Sequence, residues 1–343
     1  MKTHTIAGTD LAVSRLAFGC AGLGGWNKGV IDAETGVLAE RLILTAHEQG
    51  ITLFDHADFY GFGNGELAFG EVLRRNPSLR QGIVIQSKCG QLMPGDPHPA
   101  DPYRVDLGRD HIVASVEGSL RRLNTDRLDL LLLHVPDALM DPAEVGEAFE
   151  HLKQSGKVRH FGVSNYSAAK IAWLQRHIGE RLVVNQVQIG LAHSHEIADG
   201  MEFVLEVGQE LARVFGGEKS GFTNAYAGIP GSGTLDYCVL NDIRLQAWGP
   251  LHGNILKPGA ATNPQERHAA ELVGAIAAGH GVTPAAIALA WLARHPAGIV
   301  PVFATSSPAH LVENCAADEV ELTRSEWYAL FAAAGQLTYR TSV

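Results

Sequence analysis

The sequence has no long apolar run and few cysteines. Apolar runs such as Leu130–Leu133 are far shorter than the about 20 residues that a membrane-spanning helix needs. No apolar stretch follows the opening residues Met1–His4, so we expect no secretory signal. The cysteines lack metal-type spacing and predict reduced thiols in a cytoplasmic protein; they are Cys20, Cys89, Cys238 and Cys315.

A basic stripe is also missing. The chain carries 27 Lys and Arg against 37 Asp and Glu, which gives a formal net charge of −10. Nucleic-acid binders cluster their positive charge, so we expect neither a nucleic-acid partner nor, without an apolar span, a membrane. The 46% of hydrophobic residues is typical of a folded globular protein. Because no linker divides the chain, we predict a single domain over 1–343. The sequence does not indicate which oligomeric state the protein has.

The glycine-rich fingerprint of doubly wound dinucleotide-binding folds is absent as well. That fingerprint, Gly-x-Gly-x-x-Gly, follows the first strand, and an acidic residue for the ribose comes later in the chain. The nearest approach is Gly63–Ala68, and Lys88 lies near the place where the acidic residue would be expected. These departures argue against a Rossmann fold.

The sequence does contain a regular alternation of short apolar runs and amphipathic stretches. Leu128–His134 is almost continuously apolar, as a parallel strand buried on both faces should be. Arg109–Asn124 repeats apolar residues at helical spacing. Such alternation predicts an α/β protein with a (β/α)₈ (TIM) barrel, whose eight strands would be Leu16–Cys20, Ile51–Ala57, Ile83–Cys89, Leu128–His134, His160–Ser164, Leu182–Ile189, Ile243–Trp248 and Ile299–Ala304.

Three segments fall outside a minimal barrel. Met1–Leu11 precedes the first strand and is predicted to cap the bottom of the barrel. Asp199–Gly233 is a long insertion after the sixth strand, with a helix-like part at Phe203–Phe215 and a glycine-rich part after it. We predict that this insertion is a lid over the cofactor or substrate; the alternative is a cover for outer helices or a subunit contact. Thr323–Gly335 is predicted to be an extra C-terminal helix.

Polar side chains occur at the carboxyl ends of three consecutive predicted strands, where barrel enzymes hold their catalytic groups. The second strand ends at Asp55 and leads to Tyr60, the third carries Lys88, and the fourth ends at His134 in the run Leu-Leu-His-Val-Pro-Asp. The fifth strand ends in Gly-Val-Ser-Asn. Taken together and in this order, these segments resemble the aldo-keto reductase superfamily over nearly the whole chain. The resemblance implies carbonyl reduction with a nicotinamide cofactor.

The chemistry of carbonyl reduction explains why these four residue types belong together. A free tyrosine has a pKa of about 10 and donates its proton reluctantly at neutral pH. A nearby Lys88 ammonium should lower the pKa of Tyr60, and Asp55 should keep a buried Lys88 charged. We therefore predict Tyr60 as general acid, with His134 polarising the carbonyl oxygen. His56 is expected to face away from Asp55 and, like the neighbouring Asp58, to be structural.

The cofactor site follows from the resemblance. Ser164, Asn165 and Gln186 match positions that bind the nicotinamide carboxamide, and Trp248 matches an aromatic residue that stacks on the nicotinamide ring. The loop after Trp248 would border the pyrophosphate through Leu251 and Gly253. The last predicted strand and helix match the grip on the adenosine phosphate, which implies contacts from Thr305, Ser306, Ser307, His310, Glu313 and Asn314.

One departure from the family pattern concerns the choice of cofactor. Many members have a lysine and an arginine for the ribose phosphate where this chain has Ala304 and His310. We still expect NADP(H), because the hydroxyls of 305–307 can donate to a phosphate, with NAD(H) as the alternative. Trp26 and Phe59 are suggested as substrate-lining residues, or equally as packing residues. The partner would be a small carbonyl compound of undetermined identity.

Parts of the sequence are compatible with two other functions. The first is a metal-dependent barrel hydrolase, which the His-x-His pair of His193 and His195 suggests together with Asp55, His56 and His134. No matching carboxylate or carbamylatable lysine stands in register with the pair, so we predict no metal. The second alternative is a non-catalytic nicotinamide-binding sensor or accessory subunit. The intact set of four catalytic residue types favours the enzyme.

Overall fold

The computed structural model describes residues 1–27, 29–96, 98–199, 232–257 and 259–335. Within these ranges, eight parallel strands close into a barrel, and the last strand pairs with the first. The predicted (β/α)₈ barrel is therefore confirmed, and each predicted strand is present. The barrel strands are Ala17–Gly19 (β3), Leu53–Asp55 (β4), Val84–Cys89 (β5), Leu128–Leu133 (β8), Val158–Ser164 (β9), Leu182–Gln188 (β10), Arg244–Trp248 (β11) and Val300–Phe303 (β12).

Two short antiparallel pairs and a set of helices accompany the barrel. The pairs are Thr3–Thr5 (β1) with Ala12–Ser14 (β2), and Gln91–Leu92 (β6) with Arg104–Val105 (β7). Short 3₁₀ helices occur at Tyr60–Gly63, Pro77–Gly82, Asn254–Leu256 and Ala316–Asp318. The α-helices of the described residues are Ala33–Glu48, Asn64–Arg75, Arg109–Leu123, Pro142–Gln154, Ala168–Gln175, His195–Ala198, Thr234–Leu240, Pro264–His280, Pro284–Ala293, Pro308–Cys315 and Arg324–Gly335.

Local side-chain signals explain where several helices begin and end. Asp141, Thr283 and Ser307 each accept a hydrogen bond from a backbone N–H two or three residues later, and each precedes a proline. A proline at the first helical position lacks only an N–H that would have no helical partner there. The helix Arg109–Leu123 ends at Asn124, which has a left-handed backbone with φ of 50°, a conformation that asparagine tolerates.

Strand β8 shows why the barrel strands carry apolar residues on both faces. All six of its residues are buried. Leu131 and Leu133 belong to the core between barrel and helices, whereas Leu130 and Leu132 belong to the core inside the barrel. Because successive side chains of a strand point to opposite faces, both faces of β8 need apolar residues.

The β1–β2 hairpin closes the bottom of the barrel, as predicted for the N-terminal segment. Ile6, Leu11 and Val13 are buried in the same interior cluster as the first residues of the barrel strands. The hairpin is also tied to the far end of the chain, because the backbone N–H of Lys2 donates to an Asp318 carboxylate oxygen at 2.7 Å. The cap therefore leaves the other end of the barrel as the mouth.

The extra C-terminal helix is present at Arg324–Gly335. Trp327 of this helix stacks on Trp291 with ring centroids 5.1 Å apart, and each indole N–H donates to the other residue's backbone carbonyl. The predicted insertion lies mostly outside the described residues, so its helix-like part and its lid function stay predictions. The first and last residues of the predicted insertion are in contact, because the Asp199 carboxylate accepts a hydrogen bond from the Gly233 N–H at 2.6 Å.

The structure also describes the cysteines and the apolar character of the helices. All four cysteines are buried free thiols, as their scattered spacing predicts. Among the described helices, none alone is both long and apolar enough to cross a membrane, and only Glu266–His280 with Pro284–Ala293, a pair bent by 88°, meets that test jointly.

Candidate active site

Three of the four predicted catalytic residues form one hydrogen-bonded group at the mouth of the barrel. The buried ammonium of Lys88, on β5, lies 2.8 Å from the Asp55 carboxylate at the end of β4. It also donates to the Tyr60 hydroxyl at 3.1 Å and to the His56 carbonyl oxygen at 3.0 Å. An ammonium has three protons, so every proton of Lys88 has an acceptor.

The loop that carries Tyr60 depends on a glycine. Tyr60 begins a 3₁₀ turn in which Gly61 has φ of 58°. A Cβ at Gly61 would lie 2.1 Å from the carbonyl oxygen of Gly25, so no other residue fits between the two loops without displacing one of them. This close approach of the first and second barrel loops fixes Tyr60 above Lys88.

The pKa shifts of Lys88 and Tyr60 differ from the prediction in one respect. Burial by itself would lower the pKa of Lys88, but the Asp55 charge and the hydrogen bonds to Asp55 and Tyr60 leave it raised. Burial raises the pKa of Tyr60, and the positive charge of Lys88 opposes that rise without cancelling it. Lys88 thus acts in the predicted direction, but the predicted net lowering for Tyr60 is wrong because desolvation is the larger effect.

His134 follows β8 and lies beside Tyr60, with ring centroids 5.8 Å apart. Burial lowers the pKa of His134 well below its ordinary value, and the charge of Lys88 lowers it further. The imidazole is therefore neutral at neutral pH and carries one N–H. The Phe59 ring, suggested as substrate-lining, lies 5.1 Å from the His134 ring, so Phe59 borders the catalytic group.

His56 and Asp58 flank the catalytic group as predicted, although His56 has a role that sequence reasoning missed. The His56 ring is fully buried against Phe69, and burial lowers its pKa to about 3, while its backbone oxygen accepts from Lys88. Burial raises the pKa of Asp58 to about 7, with the nearby Glu66 charge adding to the rise. A backbone carbonyl carries no residue-type signal, so sequence alone could not identify this contact.

A layer of glutamines beneath Asp55 was also missed, although one member, Gln186, was predicted to bind the carboxamide. Gln86 donates from its side-chain nitrogen to Asp55 Oδ1 at 2.5 Å, and Gln186 donates to the same oxygen at 3.1 Å. Both also donate to Gln246 Oε1, at 2.8 and 2.9 Å. All three glutamines are buried. The available signal was a polar residue inside an apolar strand, which indicates a role but not a partner.

The residues predicted to bind the carboxamide lie together at the ends of β9 and β10. Ser164 Oγ donates to the Gln186 backbone oxygen at 2.8 Å, and Asn165 Nδ2 donates to the His134 backbone oxygen at 3.1 Å. The indole N–H of Trp248 donates to Asn165 Oδ1 at 2.9 Å. Asn165 therefore couples Trp248, at the end of β11, to the strand end that carries His134.

The loop after Trp248 packs closely against the loop that carries Ala192. Gly253 has φ of 119°, and a Cβ there would lie 2.8 Å from the Cβ of Ala192. Only glycine combines this backbone conformation with such close packing. Leu251, the other residue predicted at this place, is partly buried against the core.

The residues predicted to hold the adenosine phosphate lie before and within the helix Pro308–Cys315. The Thr305 hydroxyl accepts from the Ser307 N–H at 3.1 Å, and the Ser307 hydroxyl caps the helix. The ordinary capping role of Ser307 is therefore observed. The remaining predicted residues at this place are Ser306, His310 and Glu313, which are exposed, and Asn314, which is buried.

Trp26 and His195 are two further residues that the sequence analysis considers. Trp26 is exposed and contacts Phe62, with ring centroids 6.4 Å apart, so it lies on the rim of the first two loops. Across the described part of the chain, no group of three or more His, Cys, Asp or Glu has the geometry to hold a metal ion. His195 instead lies 3.4 Å from the adjacent Glu196 carboxylate.

A closed barrel with an Asp55–Lys88–Tyr60 group at its mouth has the form of a barrel enzyme. A model of the aldo/keto reductase family matches residues 15–206 and 223–334. The chain belongs to the aldo/keto reductase family and is an oxidoreductase. The family predicted by resemblance is thus confirmed.

Similar proteins match over almost their entire lengths. The uncharacterized oxidoreductase YcsN of Bacillus subtilis is 34% identical, over 94% of this chain and 95% of its own length. The oxidoreductase YdhF of Escherichia coli is 34% identical over 96% of each chain. A 6-dehydroglucose reductase of Agrobacterium fabrum is 34% identical over 94% of this chain and 95% of its own.

Solved structures show the same fold. A thermostable aldo-keto reductase determined with the inhibitor epalrestat superposes with a TM-score of 0.71 at 25% identity, over 97% of this chain and 100% of its own. The glycerol dehydrogenase of Gluconobacter oxydans has a TM-score of 0.75 at 22% identity, over 98% of this chain and 96% of its own. The second likeness shows the fold alone.

Proposed function

We propose that this protein reversibly reduces an aldehyde or ketone to the alcohol, with NADPH as preferred cofactor and Tyr60 as general acid. The observation that carries the proposal is the Lys88 ammonium, anchored by Asp55 at 2.8 Å and donating to the Tyr60 hydroxyl at 3.1 Å. When bound, the cofactor supplies a hydride to the carbonyl carbon. The residues of this chain must then supply and control one proton.

The hydrogen-bond direction at Tyr60 suits it to give that proton. Because Lys88 donates to the hydroxyl oxygen, the phenolic proton is left for the substrate. Burial raises the pKa of Tyr60, so the residue is protonated at neutral pH. When the carbonyl is reduced, its C=O π bond would break and its oxygen would take the Tyr60 proton. The phenolate left behind is stabilised by the adjacent Lys88 charge.

His134 is placed to orient the carbonyl. A neutral imidazole has one N–H to donate, and burial holds the pKa of His134 well below its ordinary range. A neutral donor can polarise a carbonyl oxygen without competing with Tyr60 as the acid. The adjacent Phe59 ring would then pack against the substrate.

The residues around Trp248 fit a nicotinamide. Both side-chain amide protons of Gln186 are used, by Asp55 and Gln246, while no described residue donates to its oxygen. That oxygen can accept from a carboxamide NH₂, and Ser164 and Asn165 lie at the same strand ends. The indole of Trp248, oriented by Asn165, offers a face for the ring. Leu251 and Gly253 would border the pyrophosphate.

The adenosine end of the cofactor would bind at the start of the helix Pro308–Cys315. Backbone N–H groups and the partial positive charge of a helix N-terminus favour a phosphate. The hydroxyls of 305–307 add donors there, and His310, Glu313 and Asn314 follow within the helix. These features support NADPH, with NADH as the weaker cofactor.

The function is tested by turnover. With NADPH and a panel of aldehydes and ketones, we expect steady loss of the reduced nicotinamide absorbance and formation of the alcohol. The panel includes 6-dehydroglucose, because a 34% identical relative is a 6-dehydroglucose reductase. Tight binding of NADPH without turnover of any panel member, in either direction, would instead favour a nicotinamide-binding sensor or accessory subunit.

Cofactor preference gives a separate prediction. His310→Arg should tighten NADPH binding more than NADH binding, by about tenfold in relative affinity, because a guanidinium can bind a ribose phosphate bidentately. Val312→Arg is a matched control, since Val312 is exposed on the same helix and gains the same charge at another position. Fluorescence titration with both cofactors measures the four affinities. Equal tightening of NADPH and NADH in His310→Arg would show that His310 does not face the phosphate.

We also propose that the chain is a single cytoplasmic domain. The family model spans residues from 15 to 334, and one barrel joins strands from both ends of the chain. Four buried free thiols suit a reducing compartment.

A further inference from the structure

The glutamine layer contacts the catalytic group from inside the barrel. Gln86 lies on β5, Gln186 on β10 and Gln246 on β11, and in the parallel register Gln86 pairs with Asp55 while Gln186 pairs with Gln246. Three amides from three strands thus meet directly below one carboxylate. All are buried, at 0 to 2% exposure.

The hydrogen bonds of the layer allow one orientation only. The two side-chain amide protons of Gln86 go to Asp55 Oδ1 and Gln246 Oε1, and those of Gln186 go to the same two atoms. Gln246 Nε2 returns a bond to Gln86 Oε1 at 2.8 Å. If Gln86 or Gln186 were flipped, a carbonyl oxygen would face the carboxylate, which accepts but does not donate.

The layer holds Asp55 without adding charge. A buried carboxylate needs donors to remain ionised at low cost, and amides supply them at any pH. A lysine or arginine in the same place would compete with Lys88 for Asp55. With amides below and Lys88 above, the carboxylate is held from two sides, and its position sets where the Lys88 ammonium lies.

We propose that Gln86 and Gln246 are positioning residues for proton transfer by Tyr60. Gln246 orients Gln86, Gln86 orients Asp55, Asp55 places Lys88, and Lys88 holds the Tyr60 hydroxyl. Neither glutamine touches the substrate in this scheme. The inference rests on the proposed function, because it concerns the geometry of the same proton donor.

The test uses two variants of Gln246, which lies one step from Asp55. Gln246→Leu removes the shared acceptor, so the two amides below Asp55 lose their orientation. We expect kcat to fall about tenfold to a hundredfold, because the bonds that Gln86 and Gln186 donate to the charged Asp55 lose their fixed geometry. NADPH affinity is measured in the same variant, because Gln186, which is proposed to bind the carboxamide, loses the same acceptor. The alkaline limb of the kcat profile should move to higher pH, because Lys88 would lower the pKa of Tyr60 less effectively.

Gln246→Glu is the conservative variant. In its neutral form, the introduced carboxylic acid would accept from Gln86 and Gln186 and donate back to Gln86, as the native amide does. We therefore expect kcat near the wild-type value at low pH. The rate should fall as the pH rises, because ionisation removes the returned bond and places a second negative charge beside Asp55.

Asn185→Ala is the matched control. Asn185 is a buried amide on the same strand as Gln186, but it donates to the Tyr166 backbone oxygen on the other face. Its loss should lower the thermal stability without moving the pH profile. A wild-type protein without turnover would overturn the proposed function, and this inference with it. Active wild type with unchanged kcat and pH profiles in both folded Gln246 variants would overturn the positioning role alone.

If Gln246→Leu does not fold, Gln246→Glu alone still tests the positioning role. A Gln246→Glu protein with a wild-type pH profile contradicts the proposal, and a new loss of activity with rising pH supports it. Circular dichroism and thermal unfolding, measured across the same pH range, separate this loss from unfolding.

Discussion

Replacing Tyr60 with phenylalanine should reduce kcat for carbonyl reduction by about 10²- to 10⁴-fold, the usual contribution of general acid catalysis. The phenol supplies the proton, and among the described residues no other hydroxyl hydrogen-bonds to Lys88. Binding of NADPH should be nearly unchanged, since Tyr60 lies on the second barrel loop and the proposed cofactor residues lie on the fifth to eighth strand ends. Stopped-flow kinetics and a fluorescence titration measure the two quantities.

The control for Tyr60→Phe is Tyr166→Phe. Tyr166 is also buried, but its hydroxyl contacts Met140 Sδ at 3.7 Å and not the catalytic group. Its loss should leave kcat within about twofold of the wild type, as expected for a hydroxyl outside the proton path. If the Tyr60→Phe enzyme keeps more than a tenth of its kcat, Tyr60 is not the acid.

Lys88→Met should have the second large effect, on rate and on pH dependence. Lys88 lowers the pKa of Tyr60 against the opposing effect of burial, so without Lys88 that pKa rises further. Reduction needs protonated Tyr60, so its alkaline limb should move to higher pH. Alcohol oxidation needs the phenolate, so its activity should require a higher pH and be lost most at neutral pH. We expect kcat for oxidation to fall at least about 10²-fold.

The stability of this variant provides an internal check. Removing Lys88 leaves the buried Asp55 without its cation, which costs about 3–5 kcal/mol for a buried pair. The double variant Asp55→Asn with Lys88→Met removes both charges and should recover much of that loss, while activity stays low. Chemical unfolding of the single and double variants gives the comparison. An unchanged pH profile with a modest rate loss in Lys88→Met would assign Lys88 a structural role only.

Most of the fold was predictable because its signals are local. The apolar run Leu128–Leu133 follows from burial on both faces of a parallel strand, and Asp141 or Ser307 caps a helix through atoms two or three residues away. The hydrogen bond between Lys2 and Asp318 joins residues 316 positions apart. No local pattern identifies such a pair, because its members are brought together only by barrel closure.

The candidate site also has residues that the sequence predicts and contacts that only the structure shows. Asp55, Tyr60, Lys88 and His134 were identified because each residue type has a chemical reason to lie at a strand end. The contact between Gln86 and Gln246 could not be derived, since their strands are far apart in the barrel order and meet only across its interior. The net shift in the pKa of Tyr60 also required the structure. The sequence identifies Lys88 as the neighbouring cation, but it does not show how far Tyr60 is buried, and burial is the larger effect.

Closure of the barrel has a consequence for biosynthesis. Strand β3 pairs with β12 through Ala17 with Val302 and Phe18 with Phe303, so one edge of the first barrel strand stays uncovered until β12 has left the ribosome. Unpaired strand edges invite association between nascent chains. β3 is only three residues long, and so short an edge offers little backbone for such pairing during translation.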